Sequence, residues 1–399
     1  MKPDEVAWTF VLFSVLYPAA TGAEYDLDPL GEGIQNFTQI ADKLGLKYDV
    51  HEVSTHDGYL LTLFHLPGDS ARPVFLLSGN FGSADDYIVR ENTSLVAVLQ
   101  GAGLDVWAGN WRGCKYGRRH RTLDPDRDRQ FWDYSIHEYA KYDAAAQIDY
   151  ILNKTRAKRV ACIGYSMGTT TFYLLGAMRP EYNDKVAVVI SLAPIGYVHN
   201  SVIFQLLLPM WPFANALMEW MDVNEIAGSK NILTTFMRYV CRSKEIGYEM
   251  CINCWFFPWF GYDADNLEPQ FSPVVFGHFP SPISSKSLRH IVQIMINHRI
   301  AQYDYGPEEN FRRYGSVIAP DYELGKNNMS VVLISGKNDP IATLADADML
   351  KAQLPNVVDH LLLEPKGFNH IDFVYGKKTH KVLYKTHILD YLNKYLPKS

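Results

Sequence analysis

Ser166 stands at the centre of Gly164-Tyr165-Ser166-Met167-Gly168, a Gly-x-Ser-x-Gly pattern whose hydroxyl could act as a nucleophile. A serine attacks a carbonyl only when a base takes its proton and an acid orients that base. Downstream, Asp339 follows the apolar run Val331-Val332-Leu333-Ile334 and precedes Pro340, and His370 follows Gly367-Phe368-Asn369. Ser166, Asp339 and His370, in that chain order, supply a nucleophile, an orienting acid and a base for acyl transfer. Taken singly, each has a plainer reading, as a capping serine, a turn-forming aspartate and a surface-loop histidine. All three at the ends of strands favour the catalytic one. Asp346 and Asp348, on an expected helix, and His380 and His387, on the C-terminal helical segment, are weaker rivals.

These groups need elements that bring them to one place. Val160-Ala161-Cys162-Ile163 reads as a buried strand, and residues 169–178 read as a helix stopped by Pro180. The helix N-terminus then aims free amides at the spot where an oxyanion would form. Val186–Leu192 and Val331–Ser335 are further strand candidates, and Leu361-Leu362-Leu363 leads into the His370 loop. Upstream, residues 48–53 and 59–64 flank Asp57-Gly58, a hairpin signal. Val74-Phe75-Leu76-Leu77 is a buried strand opening into Ser78-Gly79-Asn80-Phe81, where a second oxyanion amide would sit. A helix is expected over about 87–100, a strand over 105–108, and a capping box at Ser135–Glu138 should open a helix to about Asn153. This alternation predicts an α/β-hydrolase fold, with a mostly parallel central sheet, helices on both faces and catalytic groups at the strands' carboxyl ends. The alternation lapses in the middle, so the core is expected over 24–196 and 321–399, with a cap or lid inserted at 197–320.

Length and charge set the bounds. The chain has 399 residues, 47% hydrophobic, with a formal charge of −6, which argues against a nucleic-acid partner. Residues 1–23 read as a signal peptide: Lys2, an apolar run over 6–17, then Thr21-Gly22-Ala23 before Glu24. That run is shorter than the roughly 20 residues of a bilayer span. Four Asn-x-Ser/Thr sequons, at Asn36, Asn92, Asn153 and Asn328, fit passage through the secretory route. The expected location is extracellular, with the lysosome as the alternative.

Within the expected insert, residues 202–221 are heavily apolar, but Gln205, Pro209, Pro212, Asn215 and Glu219 argue against a transmembrane helix. A second cluster, Trp255-Phe256-Phe257-Pro258-Trp259-Phe260, lies in the same insert. Both read either as insert core or as a lid surface that adsorbs to a lipid–water interface. Of five cysteines, Cys162 sits in a strand and reads as a buried thiol. The Cys251-x-x-Cys254 pair has no thioredoxin-like surroundings, and Cys241 could pair with either Cys251 or Cys254.

The chain resembles the acid lipase family, which includes gastric, lingual and lysosomal acid lipases. The landmarks are Asn36-Phe37-Thr38, Asp57-Gly58-Tyr59, Gly109-Asn110-Trp111-Arg112-Gly113, Arg118-Arg119-His120, Tyr303-Asp304-Tyr305-Gly306 and Asn369-His370-Ile371-Asp372-Phe373, spread over about 25–395. The resemblance implies hydrolysis of fatty-acyl esters such as triglycerides or cholesteryl esters, without a metal or organic cofactor. It implies Ser166 as nucleophile, Asp339 as acid, His370 as base, backbone amides of Asn80 and Met167 as oxyanion donors, and a Cys241–Cys251 disulfide. The protein is expected to act as a monomer adsorbed peripherally at a lipid surface. Two positions depart from the family: Ser78-Gly79-Asn80-Phe81 replaces its usual His-Gly-Leu-Leu, and Met167 its usual Gln. Because both donors are backbone groups, neither change removes one; the alternative expectation is a lipid-binding member with a weakened hole.

Overall fold

A computed structural model describes residues 35–228, 239–241 and 247–398. The proposed leader at 1–23 lies outside these residues. Ten strands are described, β1 (Asp49–Ser54), β2 (Leu60–Leu66), β3 (Asp69–Leu77), β4 (Leu104–Ala108), β5 (Val160–Tyr165), β6 (Val186–Leu192), β7 (Glu225–Ile226), β8 (Ile283–Ser284), β9 (Val331–Ser335) and β10 (Val357–Leu362). Eight of them form one sheet in the order β1-β2-β4-β3-β5-β6-β9-β10, while β7 and β8 pair separately. β1 and β2 form the expected hairpin, β2 runs antiparallel to β4, and every pairing from β4 to β10 is parallel.

Every residue of β5, β6 and β9 is buried, because helices cover both faces of a parallel sheet and leave neither for water. β3 lies between β4 and β5, so the chain reverses direction across the sheet there. The crevice beyond the carboxyl ends of β3 and β5 is the natural ligand position in such a sheet.

The capping box forms at Ser135: its side chain and that of Glu138 satisfy each other's backbone, and helical structure runs over 136–155. The helix expected over 87–100 is shorter than its apolar pattern suggests. A 3₁₀ turn covers Ala84–Tyr87, Glu91 takes φ 50°, and the α-helix begins only after the Ser94 cap and spans Leu95–Gly101. A left-handed residue and a strong N-cap together outweigh periodicity.

Between β6 and β9, no described residue joins the eight-stranded sheet. Residues Val202–Trp220 form one helical stretch with a 3₁₀ turn at Leu208–Met210, where Pro209 interrupts regular bonding. It is long and apolar enough to cross a membrane by length and composition, with 19 residues and mean hydropathy 1.2, and almost none of it is buried. The aromatic cluster at 255–260 behaves differently. Phe256 and Phe257 are buried, and the Phe256 ring contacts Phe260, Phe276 and Phe279 at 4.5–5.5 Å. Phe256 and Phe257 belong to the same continuous core as the sheet, and Trp255 and Phe260 pack against it. Cys241 and Cys251 are joined, Cys114 and Cys162 are buried free thiols, and Cys254 is an exposed one.

Candidate active site

Local geometry at the end of β5 lifts Ser166 out of the sheet. Ser166 has φ 52° and ψ −121°, a region that costs a non-glycine residue roughly 1–3 kcal/mol, and the helix Met167–Met178 begins at the next residue. The flanking glycines make that turn possible. A Cβ at Gly164 would lie 2.7 Å from the Gly168 carbonyl carbon, and one at Gly168 only 2.3 Å from the Leu77 oxygen. Backbone bonds hold the turn: Ser166 N–H donates to Leu192 O (2.9 Å), and the Thr169 hydroxyl donates to Ser166 O (2.7 Å).

The structure brings Ser166, His370 and Asp339 together in a hydrogen-bonded row. His370 Nε2 lies 3.0 Å from Ser166 Oγ, and His370 Nδ1 lies 2.8 Å from Asp339 Oδ2. A carboxylate only accepts, so Nδ1 carries the proton and Nε2 is left to take one from the serine. The other Asp339 oxygen accepts from the backbone of Ile341 (2.9 Å) and Ala342 (2.8 Å), which fixes the carboxylate. The histidine loop is fixed too. Asn369 N–H donates to Asp372, Asn369 Oδ1 accepts from Ile371 and Asp372, and Tyr165 OH donates to His370 O. None of the rival residues Asp346, Asp348, His380 and His387 joins this row; Asp346 instead accepts from Asn200 and Thr343.

The loop after β3 presses against Ser166. A Cβ on Gly79 would lie 2.9 Å from Ser166 Cβ, so only glycine lets the backbone pass so close. Asn80 and Met167 follow Gly79 and Ser166 directly, and among the described residues neither backbone N–H has an acceptor. Met167 is the first residue of its helix, where the amide has no intrahelical partner. The Asn80 side chain has no partner either and is half-exposed, so water solvates it. Phe81 takes φ 61°, its ring packs edge-on against Phe279, and its carbonyl accepts from Ser281 N–H (2.6 Å). The altered loop is thereby tied to the insert.

Beneath this loop lies a buried polar network that sequence reasoning missed. The Ser78 hydroxyl donates to Asp86, which also accepts from Tyr375 OH (2.6 Å). Burial pushes the Asp86 carboxyl up to about 6, against the pull of those two hydrogen bonds. Asp85 meets His278, Lys115 and Tyr116 at 2.7–2.8 Å. Burial alone would raise Asp85, but its bonds to His278 and Lys115 outweigh that and hold it below the usual carboxylate range. The only advance signal was an adjacent acidic pair so close to a buried strand.

The Asn110-Trp111-Arg112 landmark supports the same loop. Asn110 Oδ1 accepts from Ala84 N–H (3.0 Å), and Trp111 Nε1–H donates to Ser78 O (3.2 Å). Arg112, fully buried, grips Asp57 and Asp143 with contacts of 2.6–3.0 Å and lies 3.9 Å over the Tyr59 ring. A buried guanidinium is tolerable only because both carboxylates saturate its donors.

From the insert, Phe260 O accepts from His370 N–H (3.1 Å), and its ring stacks on the imidazole with centroids 5.9 Å apart. Asn369 Nδ2–H donates to Gly261 O at 2.7 Å. The insert therefore rests directly on the histidine loop. Of the sequon asparagines, Asn92, Asn153 and Asn328 are exposed. Asn36 is half-buried and caps the helix Phe37–Lys43 through its side-chain oxygen.

The alpha/beta hydrolase fold family matches residues 72–221, and the partial alpha/beta-hydrolase lipase region matches residues 37–91. The chain is 33% identical to Lipase 1 of Drosophila melanogaster over 358 residues, 88% of this chain and 79% of the relative. It is 30% identical to the gastric triacylglycerol lipase of Mus musculus over 393 residues, covering 94% and 97% of the two chains. Among solved structures, the α/β hydrolase GrgF from Penicillium sp. sh18 superposes with TM-score 0.52 at 13% identity, over 88% of this chain and all of that one. That last likeness speaks to the fold alone.

Proposed function

The chain belongs to the acid lipase family of α/β-hydrolases and is a carboxylic ester hydrolase, and from that premise we propose that Ser166, His370 and Asp339 are its nucleophile, base and orienting acid. The substrates are lipid esters. We assign triacylglycerols as the preferred class, in line with the gastric relative, with cholesteryl esters as the competing arm of the test.

In the proposed reaction His370 Nε2 takes the Ser166 proton as Oγ attacks the acyl carbon. The carbonyl oxygen becomes an oxyanion, held by the Asn80 and Met167 N–H groups. His370 then returns the proton to the departing alcohol, leaving an acyl-serine, and a water activated by the same nitrogen hydrolyses it. Asp339 holds the tautomer throughout and stabilises the imidazolium. The single observation that supports this reading most is the row Ser166–His370–Asp339, at 3.0 and 2.8 Å, anchored by two backbone amides on Asp339.

Residues 197–320 act as a cap over the site in this reading, and the exposed side chains of Val202, Leu206, Phe213 and Trp220 adsorb to the lipid surface. The protein works there as a peripheral monomer. It reaches the extracellular space behind the leader at 1–23, glycosylated at Asn36, Asn92, Asn153 and Asn328. The cap bond at Asn36 uses the oxygen, so its amide nitrogen stays available to a glycan. Sensitivity of the secreted protein's gel mobility to an N-glycosidase checks this, and accumulation in lysosomes would favour the alternative location.

The decisive assay takes purified protein over trioleoylglycerol emulsion, cholesteryl oleate emulsion and a soluble short ester, from acid to neutral pH. Hydrolysis of the glyceride emulsion that disappears in Ser166→Ala is the expected result. Ester turnover retained by Ser166→Ala would overturn the assignment of the nucleophile.

A further inference from the structure

At the far edge of the sheet, four places from β5, two histidines and an aspartate face one another. Alternation along β1 puts Asp49 and His51 on one face, and the β1–β2 register sets His65 directly across from Asp49. One ligand atom from each of Asp49, His51 and His65 lies within 4.8 Å of the other two. His65 Nδ1 is 3.7 Å from Asp49 Oδ2.

What lies behind these side chains matters as much. His65 Nε2 is 2.8 Å from Asp105 Oδ1, and Asp105 is buried and fixed by Trp107 Nε1–H (2.6 Å) and Gly68 N–H (3.0 Å). That carboxylate accepts the Nε2 proton and leaves the Nδ1 lone pair turned to Asp49. The His65 ring is also stacked on Trp107, with centroids 3.7 Å apart and planes within 8°. His51 Nδ1 meets Tyr150 OH at 3.0 Å, so its second nitrogen is the free one. That atom, Nε2, is buried without a hydrogen-bond partner. A buried polar atom with no partner is uncommon and calls for an unseen one.

We propose that Asp49, His51 and His65 bind one divalent transition-metal ion of the zinc class, with His51 Nε2, His65 Nδ1 and a carboxylate oxygen as ligands. Two imidazoles and a carboxylate suit Zn²⁺ and its neighbours rather than Mg²⁺ or Ca²⁺, which take oxygen. The carboxylate–imidazole pair Asp105–His65 and the hydroxyl–imidazole pair Tyr150–His51 are the outer partners that metal-binding histidines carry. Ligand atoms around tetrahedral zinc lie about 3.4 Å apart, so closure needs small shifts. The exposed Asp49 side chain is free to make them. Water completes the shell. The ion would tie the outermost strand to β2 and, through Tyr150, to the helix Ala145–Thr155, so its role is to brace the sheet edge. A plain Asp49–His65–Asp105 ion pair is the rival reading, and it leaves His51 Nε2 orphaned.

The test uses untagged full-length protein, stripped with chelator and titrated with ZnCl₂ by calorimetry, with Co²⁺ absorption as a second readout. The expected result is a single saturable site, d–d bands of a nitrogen–oxygen Co²⁺ complex, and a zinc-dependent rise in melting temperature. His51→Gln and Asp49→Asn should weaken zinc at least 10- to 100-fold, and Asp105→Asn about tenfold. Asp49 is exposed, so Asp49→Asn should keep the metal-free melting temperature and the rate on a soluble ester, which separates lost binding from lost folding. Absence of saturable binding in the wild type, or zinc affinity unchanged in both Asp49→Asn and His51→Gln, would overturn the proposal.

Discussion

Asp339 and His370 are 7% and 3% exposed, whereas Trp220, Phe213 and Leu206 are 82%, 60% and 65% exposed. The end of the sheet that carries Ser166 thus hides its polar groups, and the helical stretch Val202–Trp220 leaves apolar ones in water. Each arrangement is costly in isolation. A buried carboxylate is tolerable because Ile341, Ala342 and His370 saturate its oxygens. Exposed large apolar side chains contribute nothing to folding, and a contiguous patch of them marks a surface that something covers. Under the proposed function the contrast separates two tasks, chemistry in a preorganised polar site and capture of an apolar substrate by an exposed apolar surface.

The largest effect should come from the triad. Ser166→Ala and His370→Ala should each lower turnover roughly 10⁴- to 10⁶-fold, equally on a soluble short ester and on an emulsion. Initial rates on both substrates check this, and a loss confined to the emulsion would erase the distinction between the two regions.

Replacing Phe213 and Trp220 together by Gln should act the other way round. Each buried aromatic is worth about 1.5–3 kcal/mol on transfer from water, so adsorption to triolein droplets should weaken at least about 100-fold. The soluble-ester rate should stay within about twofold of wild type. Droplet flotation and the paired rates measure the two quantities separately.

A smaller effect should arise at the seam between the regions, where Asp263 of the insert meets Asp372 beside the histidine loop. Burial, and then the Asp263 charge, raises Asp372 well above its ordinary value; burial likewise raises Asp263. Both carboxyls bind protons more tightly folded than unfolded. Their contribution to stability is therefore greatest in acid, below the unfolded carboxylate range, and is lost as pH rises through the raised values. Measured from acid to neutral pH, the melting temperature of Asp372→Asn should gain roughly 2–4 °C on wild type as pH rises, a comparison in which oppositely shifted carboxylates such as Asp85 cancel. An unchanged slope in that variant would remove this seam as a source of acid preference.

The smallest shift is expected in the loop after β3. Asn80→Leu with Phe81→Leu keeps both backbone donors, so the acyl chain-length profile should change while the maximal rate on a short ester moves by less than about threefold. Losing one oxyanion donor costs roughly 10²–10³. A gain of that size on every ester would mean that the native hole is defective.

The elbow at Ser166 was legible because its cause is local: a strand, two glycines and a helix start define it within a dozen residues. The capping box at Ser135 was legible in the same way. Asp339 and His370 could be inferred from chain order and strand ends. That His370 lies within hydrogen-bond reach of both Ser166 and Asp339 is a fact of packing. The helix expected over 87–100 failed because the pattern of apolar residues continued through a segment whose backbone breaks at Glu91.

The sequence by itself determined the strands that lead to Ser166 and Asp339, the helix opened at Ser135, and which residue types can carry acyl transfer, since those depend on neighbours along the chain. Only the tertiary structure decided that Phe256 and Phe257 are buried while Val202, Leu206, Phe213 and Trp220 are exposed, since both runs are apolar and differ in what packs against them. It alone decided that Asp85 and Asp86 are buried beneath the loop after β3, and that His65 faces Asp49 and His51. Those relations depend on strand order and register, which arise from many weak contacts summed over the sheet. No short window of sequence contains that sum.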